Sequence, residues 1–210
     1  MSNQPQSNTT NNIMFDVGHI FESNSVITSI DILHLVRSLQ NVPRSHTLPL
    51  IKRESILEHQ IKCVHLLDFL NHQDFFNPII SKEDLYDIKN YLLYHDIHEV
   101  LTGDSPYYVE KYLGNAPSEL RNYLTNSFVD SINLKPELFK IAKFVDALDF
   151  LLVVTTDPLL DARTFDGQRI RKAVGNAKSI IQKYMSDSDM KYKIKSIAVE
   201  ALVNEYKERE

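Results

Sequence analysis

Apolar side chains recur along this chain at intervals of three and four, the period that lines one face of an α-helix, and no alternating apolar-polar run persists as in a strand. The first stripe, Ile27, Ile30, Leu33, His34 and Arg37, follows Ser25 and Thr28 as candidate caps and ends before Pro43. A second runs from about Ile56 to Asn71 through Ile56, Cys63, Leu66, Leu67 and Leu70, and His59 falls on the same inward stripe, four residues before Cys63. After Asn77-Pro78, the run Ser81-x-x-Asp84 has the form of a capping box with Asp in place of Glu, and opens a helix through Leu85, Ile88, Leu92 and His95. Gly103 and Pro106 mark a break, beyond which a shorter helix is predicted from Pro117 to about Asp130. Pro136 suits the first turn of a long helix with a broad apolar face of Leu138, Ile141, Ala142, Val145, Leu148 and Leu152; Asp146 and Asp149 lie on or beside that face. Two amphipathic helices, roughly Arg163 to Met185 and Met190 to Lys207, flank Ser186-Asp187-Ser188-Asp189. The expected fold is an all-α, single-domain helical bundle.

Length and composition narrow the function. A chain of 210 residues suits one domain with a real core. That domain is expected over 13–210, after a flexible tail, 1–12, made almost wholly of Ser, Asn, Gln, Thr and Pro. The net charge of -5 argues against a surface that grips nucleic-acid polymers, which needs clustered Lys and Arg. A small anionic substrate needs only one or two well-placed cations, and the loop from Pro43 to Arg53 carries Arg44, His46, Lys52 and Arg53. Cys63 is the single cysteine, so neither an intrachain disulfide nor a cysteine zinc cluster can form. With no secretory leader pattern and no apolar run beyond Phe150 to Val154, the expected location is the cytoplasm, away from membranes.

Candidate chemistry concentrates between Tyr94 and Asp104, where polar side chains interrupt an apolar helical run. Adjacent His95 and Asp96 offer an imidazole nitrogen and a carboxylate oxygen, ligand types that Mn, Fe, Co, Ni and Zn accept. His59 upstream and Asp146 downstream, each on its own predicted helix, complete a set of four. One divalent ion held this way keeps positions open for water and substrate, the mark of a catalytic rather than a structural site. Each residue also has a plainer reading. A lone inward His is commonly a hydrogen-bonded core residue, and a buried Asp146 calls for a cation that Lys143 would equally supply. The ordered set on three helices is what favours the metal.

Glu58-His59, Tyr94-His95-Asp96, Glu99, Leu101-Thr102-Gly103-Asp104 and Phe144-Val145-Asp146-Ala147-Leu148 together resemble the HD-domain phosphohydrolases, and more narrowly their bacterial 5'-deoxynucleotidase branch. The similarity runs from about Leu39 to Leu152, with Arg44 fifteen residues ahead of His59 as in that branch. The resemblance implies one divalent ion (Co, Mn, Fe, Ni, Zn or Mg) on His59, His95, Asp96 and Asp146. It further implies Glu99 as the proton-handling residue, Arg44 as the phosphate holder, Asp104 as acceptor of a sugar hydroxyl, and a homodimer. Glu99 lies four residues after His95, so its carboxylate projects beside the ligand if the helix continues for one turn, with a solvated helix-end charge as the plainer and less favoured reading; Asp104 after Gly103 suits a cap nearly as well. The chain departs from the branch at Ser45, which stands where a Trp shapes the sugar pocket, and His46 is placed to take over some contacts. His98 stands where a small residue is usual, with a substrate-side or surface role favoured over a second metal; His34, His65 and His72 read as structural or exposed.

The expected activity is removal of the 5'-phosphate from (deoxy)nucleoside monophosphates. Two alternatives remain: triphosphate release from deoxynucleoside triphosphates on the same centre, with Arg163, Arg169 and Arg171 as extra phosphate contacts, and a nucleotide-binding sensor without turnover.

Overall fold

The computed structural model describes residues 29–51, 53–104, 112–125 and 134–209. The predicted tail, the caps Ser25 and Thr28, Ile27, Lys52 and Pro106 lie outside them. In order come α1 (Ser29–Ser38), a 3-10 turn (Leu39–Asn41), α2 (Ile56–His72), β1 (Phe76–Asn77), α3 (Lys82–Tyr94), α4 (Glu99–Thr102), α5 (Ala116–Thr125), α6 (Pro136–Thr155), α7 (Phe165–Met185), β2 (Lys193–Ile194) and α8 (Ser196–Arg209). Among the described residues the fold is all-α apart from a tiny antiparallel ladder, in which Phe76 pairs with Ile194 and Asn77 with Lys193, and an isolated bridge between Pro43 and Ser55. No helix among the described residues is long and apolar enough to cross a membrane.

The centre is α6. Pro136 at its start has no N–H to leave unpaired, and Leu138, Ile141, Phe144, Val145, Leu148, Leu151 and Val154 bury nearly its whole circumference. Around it α2, α3, α7 and α8 close the main core, with Cys63, Leu67 and Leu70 from α2, Ile88 and Leu92 from α3, and Ile170, Ala177 and Ile181 from α7. A smaller core joins Ile32, Leu35 and Leu39 to Ile56, Ile97 and Leu124.

That second core corrects the face of the first helix. Ile30 and Leu33, on the predicted stripe, are 63% and 54% exposed, while Ile32 and Leu35 point inward to meet Ile56 and Ile97. Other boundaries also shift. Helix α7 starts at Phe165 rather than Arg163 because the Thr164 side chain caps it, accepting from Gly167 N–H. The last helix begins at Ser196, since Met190, Tyr192 and Ile194 are buried in the segment that forms β2. Helix α5 is described to Thr125, and its predicted extension to Asp130 lies outside the described residues.

Only half of the box at Ser81 forms. The Ser81 side chain accepts from Asp84 N–H, but the Asp84 carboxylate turns away to accept from Tyr192 Oη and Lys191 Nζ. A complete box sits instead at α2, where Ser55 accepts from Glu58 N–H and Glu58 accepts from Ser55 N–H. It starts α2 so that His59, four residues on, falls on the buried face.

Candidate metal centre

Three elements bring the predicted ligands together. His59 comes from α2, His95 and Asp96 from the turn that ends α3, and Asp146 from the middle of α6. His59 Nε2 lies 3.3 Å from Asp146 Oδ1 and 3.8 Å from Asp96 Oδ2, and His95 Nε2 lies 3.0 Å from Asp96 Oδ2. Ligand atoms of His59, His95 and Asp96 all fall within 4.8 Å of one another. Two atoms each about 2.0–2.2 Å from one ion, at angles of about 90–110°, are themselves roughly 3–3.5 Å apart, so these spacings suit a shared cation. His95 Nε2 is buried and, despite its nearness to Asp96, makes no hydrogen bond among the described residues.

Both imidazoles are held by their other nitrogen. His95 Nδ1 lies 3.0 Å from the Leu92 carbonyl, and His59 Nδ1 lies 2.7 Å from Asp149 Oδ2. Each therefore turns Nε2 toward the carboxylates. The rings meet edge to face at 5.5 Å, and Tyr91 stacks on His95 at 5.7 Å. The donor set, two nitrogens and two carboxylate groups, fits a borderline divalent ion.

The electrostatics agree. Burial opposes charge on Asp96, yet His95 and His59 outweigh it and hold the carboxyl well below its ordinary range. Asp146 behaves likewise: burial raises its pKa, and Lys143 and His59 lower it further than burial lifts it. Burial and Arg44 disfavour a charged His59, but Cys63 and hydrogen bonds to Asp146 and Asp149 push its pKa above the usual value. A divalent cation held by these residues would face ionised carboxylates and would favour a neutral His59.

Arg44 borders the cluster. It is part-buried in the loop before α2, with Nη2 3.1 Å from Asp146 Oδ1, Nη1 3.3 Å from Glu54 Oε1 and 3.7 Å from Asp149 Oδ2, and its guanidinium lies over the Phe150 ring. Burial lowers its pKa, but Asp146 and Asp149 more than compensate, so it stays charged. Lys143 Nζ takes the other Asp146 oxygen at 3.1 Å. The plainer reading of Asp146 thus has real partners, since two protein cations already face it.

The loop itself is pinned. Arg44 N–H donates to Glu54 O, Ile51 N–H to Asp157 Oδ2, and Arg169 Nη2 to Thr47 O. Asp104 Oδ2 accepts from Ser45 N–H at 2.5 Å and lies 3.6 Å from His46 Nδ1, so Ser45, His46 and Asp104 meet, with His46 the most exposed of the three. Gly103, at φ +70, ends α4 in a conformation a larger side chain resists and hands the chain to Asp104.

Glu99 is buried at 4% exposure, which removes the solvated-charge reading. It does not lie on a continuous helix with His95. Residues 95–98 form a turn, after which Glu99 N–H donates to Asp96 O at 2.9 Å and opens α4. His98 is buried too, which excludes a surface role; burial lowers its pKa and keeps it neutral. His34, His65 and His72 are exposed. Arg169 and Arg171 donate to carbonyls, of Thr47 and of Leu160 and Ala162 respectively. Sequence reasoning assigned nothing to Asp149 or Glu54; the only signal was Asp149 one turn after Asp146.

A helical bundle that gathers His59, His95 and Asp96 presents a group of side chains that could hold a divalent cation. No protein-family model matches the chain, and no curated protein does. Solved structures do. The cyanophage S-2L HD phosphohydrolase DatZ, bound to dA and one catalytic Zn2+ ion, matches with a TM-score of 0.54 at 14% identity, covering 84% of this chain and 94% of that one. A conserved hypothetical protein from Pyrococcus furiosus matches with a TM-score of 0.60 at 18% identity, covering 86% of this chain and 99% of that one. The fold of this chain is the HD-domain fold.

Proposed function

We infer that the chain is a metal-dependent phosphohydrolase that removes the 5'-phosphate from (deoxy)nucleoside monophosphates. The observation that carries this is the approach of ligand atoms of His59, His95 and Asp96 to within 4.8 Å of one another, with Asp146 Oδ1 3.3 Å from His59 Nε2. These four residues hold one divalent ion, which when bound supplies Lewis acidity toward a phosphoryl oxygen and acidifies water.

Arg44 holds the phosphate. Its planar fork matches phosphate oxygens, and it already lies within hydrogen-bond reach of the Asp146 carboxylate, so a phosphate beside that carboxylate is within its range. Glu99, fixed to Asp96 through the backbone and shielded from bulk water, handles the proton. Ser45, His46 and Asp104 form the sugar side. A small Ser45 leaves room for a ribose 2'-hydroxyl, and the Asp104 carboxylate keeps acceptor capacity beyond the Ser45 N–H. The nucleoside class is supported by the fold neighbour that binds dA. Monophosphates are favoured over triphosphates because Arg44 is the guanidinium that contacts Asp146, whereas Arg171 donates to the Leu160 and Ala162 carbonyls and Arg169 to that of Thr47.

The test is a panel of ribo- and deoxynucleoside mono-, di- and triphosphates assayed with Mn, Co, Zn and Mg, with products identified. Inorganic phosphate released from monophosphates supports the proposal. Triphosphate released from triphosphates supports the alternative, and nucleotide binding with no product under any ion supports the sensor.

A further inference from the structure

His59 has two ring nitrogens, and only one faces the ligand cluster. Nε2 lies 3.3 Å from Asp146 Oδ1, while Nδ1 lies 2.7 Å from Asp149 Oδ2. Both side chains are buried, at 0% and 5% exposure, so bulk water does not substitute for either partner. Asp149 follows Asp146 by one turn of α6, and Arg44 Nη1 at 3.7 Å helps balance its charge.

The chemistry of this pair is one-directional. A carboxylate accepts and does not donate, so a neutral His59 beside it keeps its proton on Nδ1 and its lone pair on Nε2. Among the described residues Cys63 Sγ also lies 3.5 Å from Nδ1 and 3.8 Å from Nε2, but a thiol donates and accepts only weakly and does not compete with a carboxylate at 2.7 Å. Swapping the tautomer would place a lone pair against the Asp149 oxygen and a proton among the ligands. His95 receives the same service from the Leu92 carbonyl.

We propose that Asp149 is a positioning residue of the metal centre: it holds the proton at His59 Nδ1 and turns the Nε2 lone pair toward the cation shared with His95, Asp96 and Asp146. This rests on the metal reading above. Partners of this kind around metal-bound histidines change affinity by about 10–100-fold.

The experiment uses zinc as the probe, with wild type and Asp149→Asn, whose amide accepts less strongly and can also donate. Zinc affinity is measured by competition with a chelator. Nitrogen NMR of histidine-labelled, zinc-loaded wild type reports the tautomer of His59. The expected results are a 10–100-fold weaker zinc Kd in the variant and, in wild type, a protonated Nδ1 with a metal-bound Nε2. Zinc affinity unchanged in Asp149→Asn, or His59 bound through Nδ1, overturns the positioning role and leaves the metal centre standing. Wild type that takes up no zinc overturns both. Should the variant not fold, the wild-type spectrum decides, because a merely structural Asp149 does not dictate which nitrogen carries the proton.

Discussion

Arg44 Nη2 lies 3.1 Å from Asp146 Oδ1, a contact between residues 102 positions apart. The carboxylate that faces His59 therefore also anchors the guanidinium, and the cation side and the anion side of the cluster share one group. Replacing Arg44 with Ala removes the partner that Asp146, Asp149 and Glu54 share, while Lys143 stays on Asp146, His59 on Asp149 and Lys62 on Glu54. The expected cost in metal-free protein is about 1–3 kcal/mol, less than for a buried charge left with no other partner. Urea unfolding in chelator checks this, and adding Mn should recover part of the loss because the ion neutralises Asp146. A variant as stable as wild type in chelator contradicts the role given to Arg44.

On the proposed metal reading, Lys143 would compete with the ion for Asp146. Its Nζ lies 3.1 Å from Oδ2, and although burial lowers its pKa, Asp146 more than compensates and keeps it charged. Lys143→Gln removes that competitor. A unit charge at such range is worth about 1 kcal/mol in water and more where solvent is partly excluded, so Mn should bind about tenfold tighter. Titration of wild type and variant measures it, and weaker binding in the variant contradicts it.

Asp84 ties α3 to the segment before α8. It accepts from Tyr192 Oη and Lys191 Nζ, and these bonds hold its pKa below the ordinary carboxyl value. A depressed folded pKa means the stabilisation is full above the unfolded pKa and is lost as pH falls through the folded one. Between pH 7 and pH 3 wild type should lose stability more steeply than Asp84→Asn. Tyr192→Phe should cost about 1 kcal/mol at neutral pH. Parallel unfolding slopes for wild type and Asp84→Asn over that range speak against the contact.

Gly167 is required by its surroundings. A Cβ there would come within 2.2 Å of the Ala162 carbonyl oxygen and 2.7 Å of the Leu159 oxygen, both backbone atoms. Gly167→Ala should therefore destabilise by about 1–3 kcal/mol through overpacking, against the gain Ala usually brings inside a helix. Denaturant midpoints decide the sign.

What the sequence disclosed follows from how each feature is encoded. The inward direction of His59 was legible because Cys63, Leu67 and Leu70 repeat its face on α2. The face of α1 was not, because Ile30 and Leu33 look as apolar as Ile32 and Leu35, and only Ile56 and Ile97 decide which side is covered. Two-residue strands such as β1 and β2 are too short to leave any period. The box at Ser55 and Glu58 was written plainly but is an end signal, silent about chemistry. Asp149 was visible as a residue and invisible as a partner, since its role depends on the ring of a histidine 90 positions away. Arg44 entered through family resemblance, because no local spacing ties a loop arginine to Asp146.

The central claim is that His59, His95, Asp96 and Asp146 share one cation. Crystals grown or soaked with Mn and measured for anomalous scattering test it most directly. The account predicts a single strong peak about 2.0–2.3 Å from His59 Nε2, His95 Nε2, an Asp96 oxygen and an Asp146 oxygen. No peak there, with Arg44 and Lys143 still holding Asp146 in the presence of the metal, would contradict it.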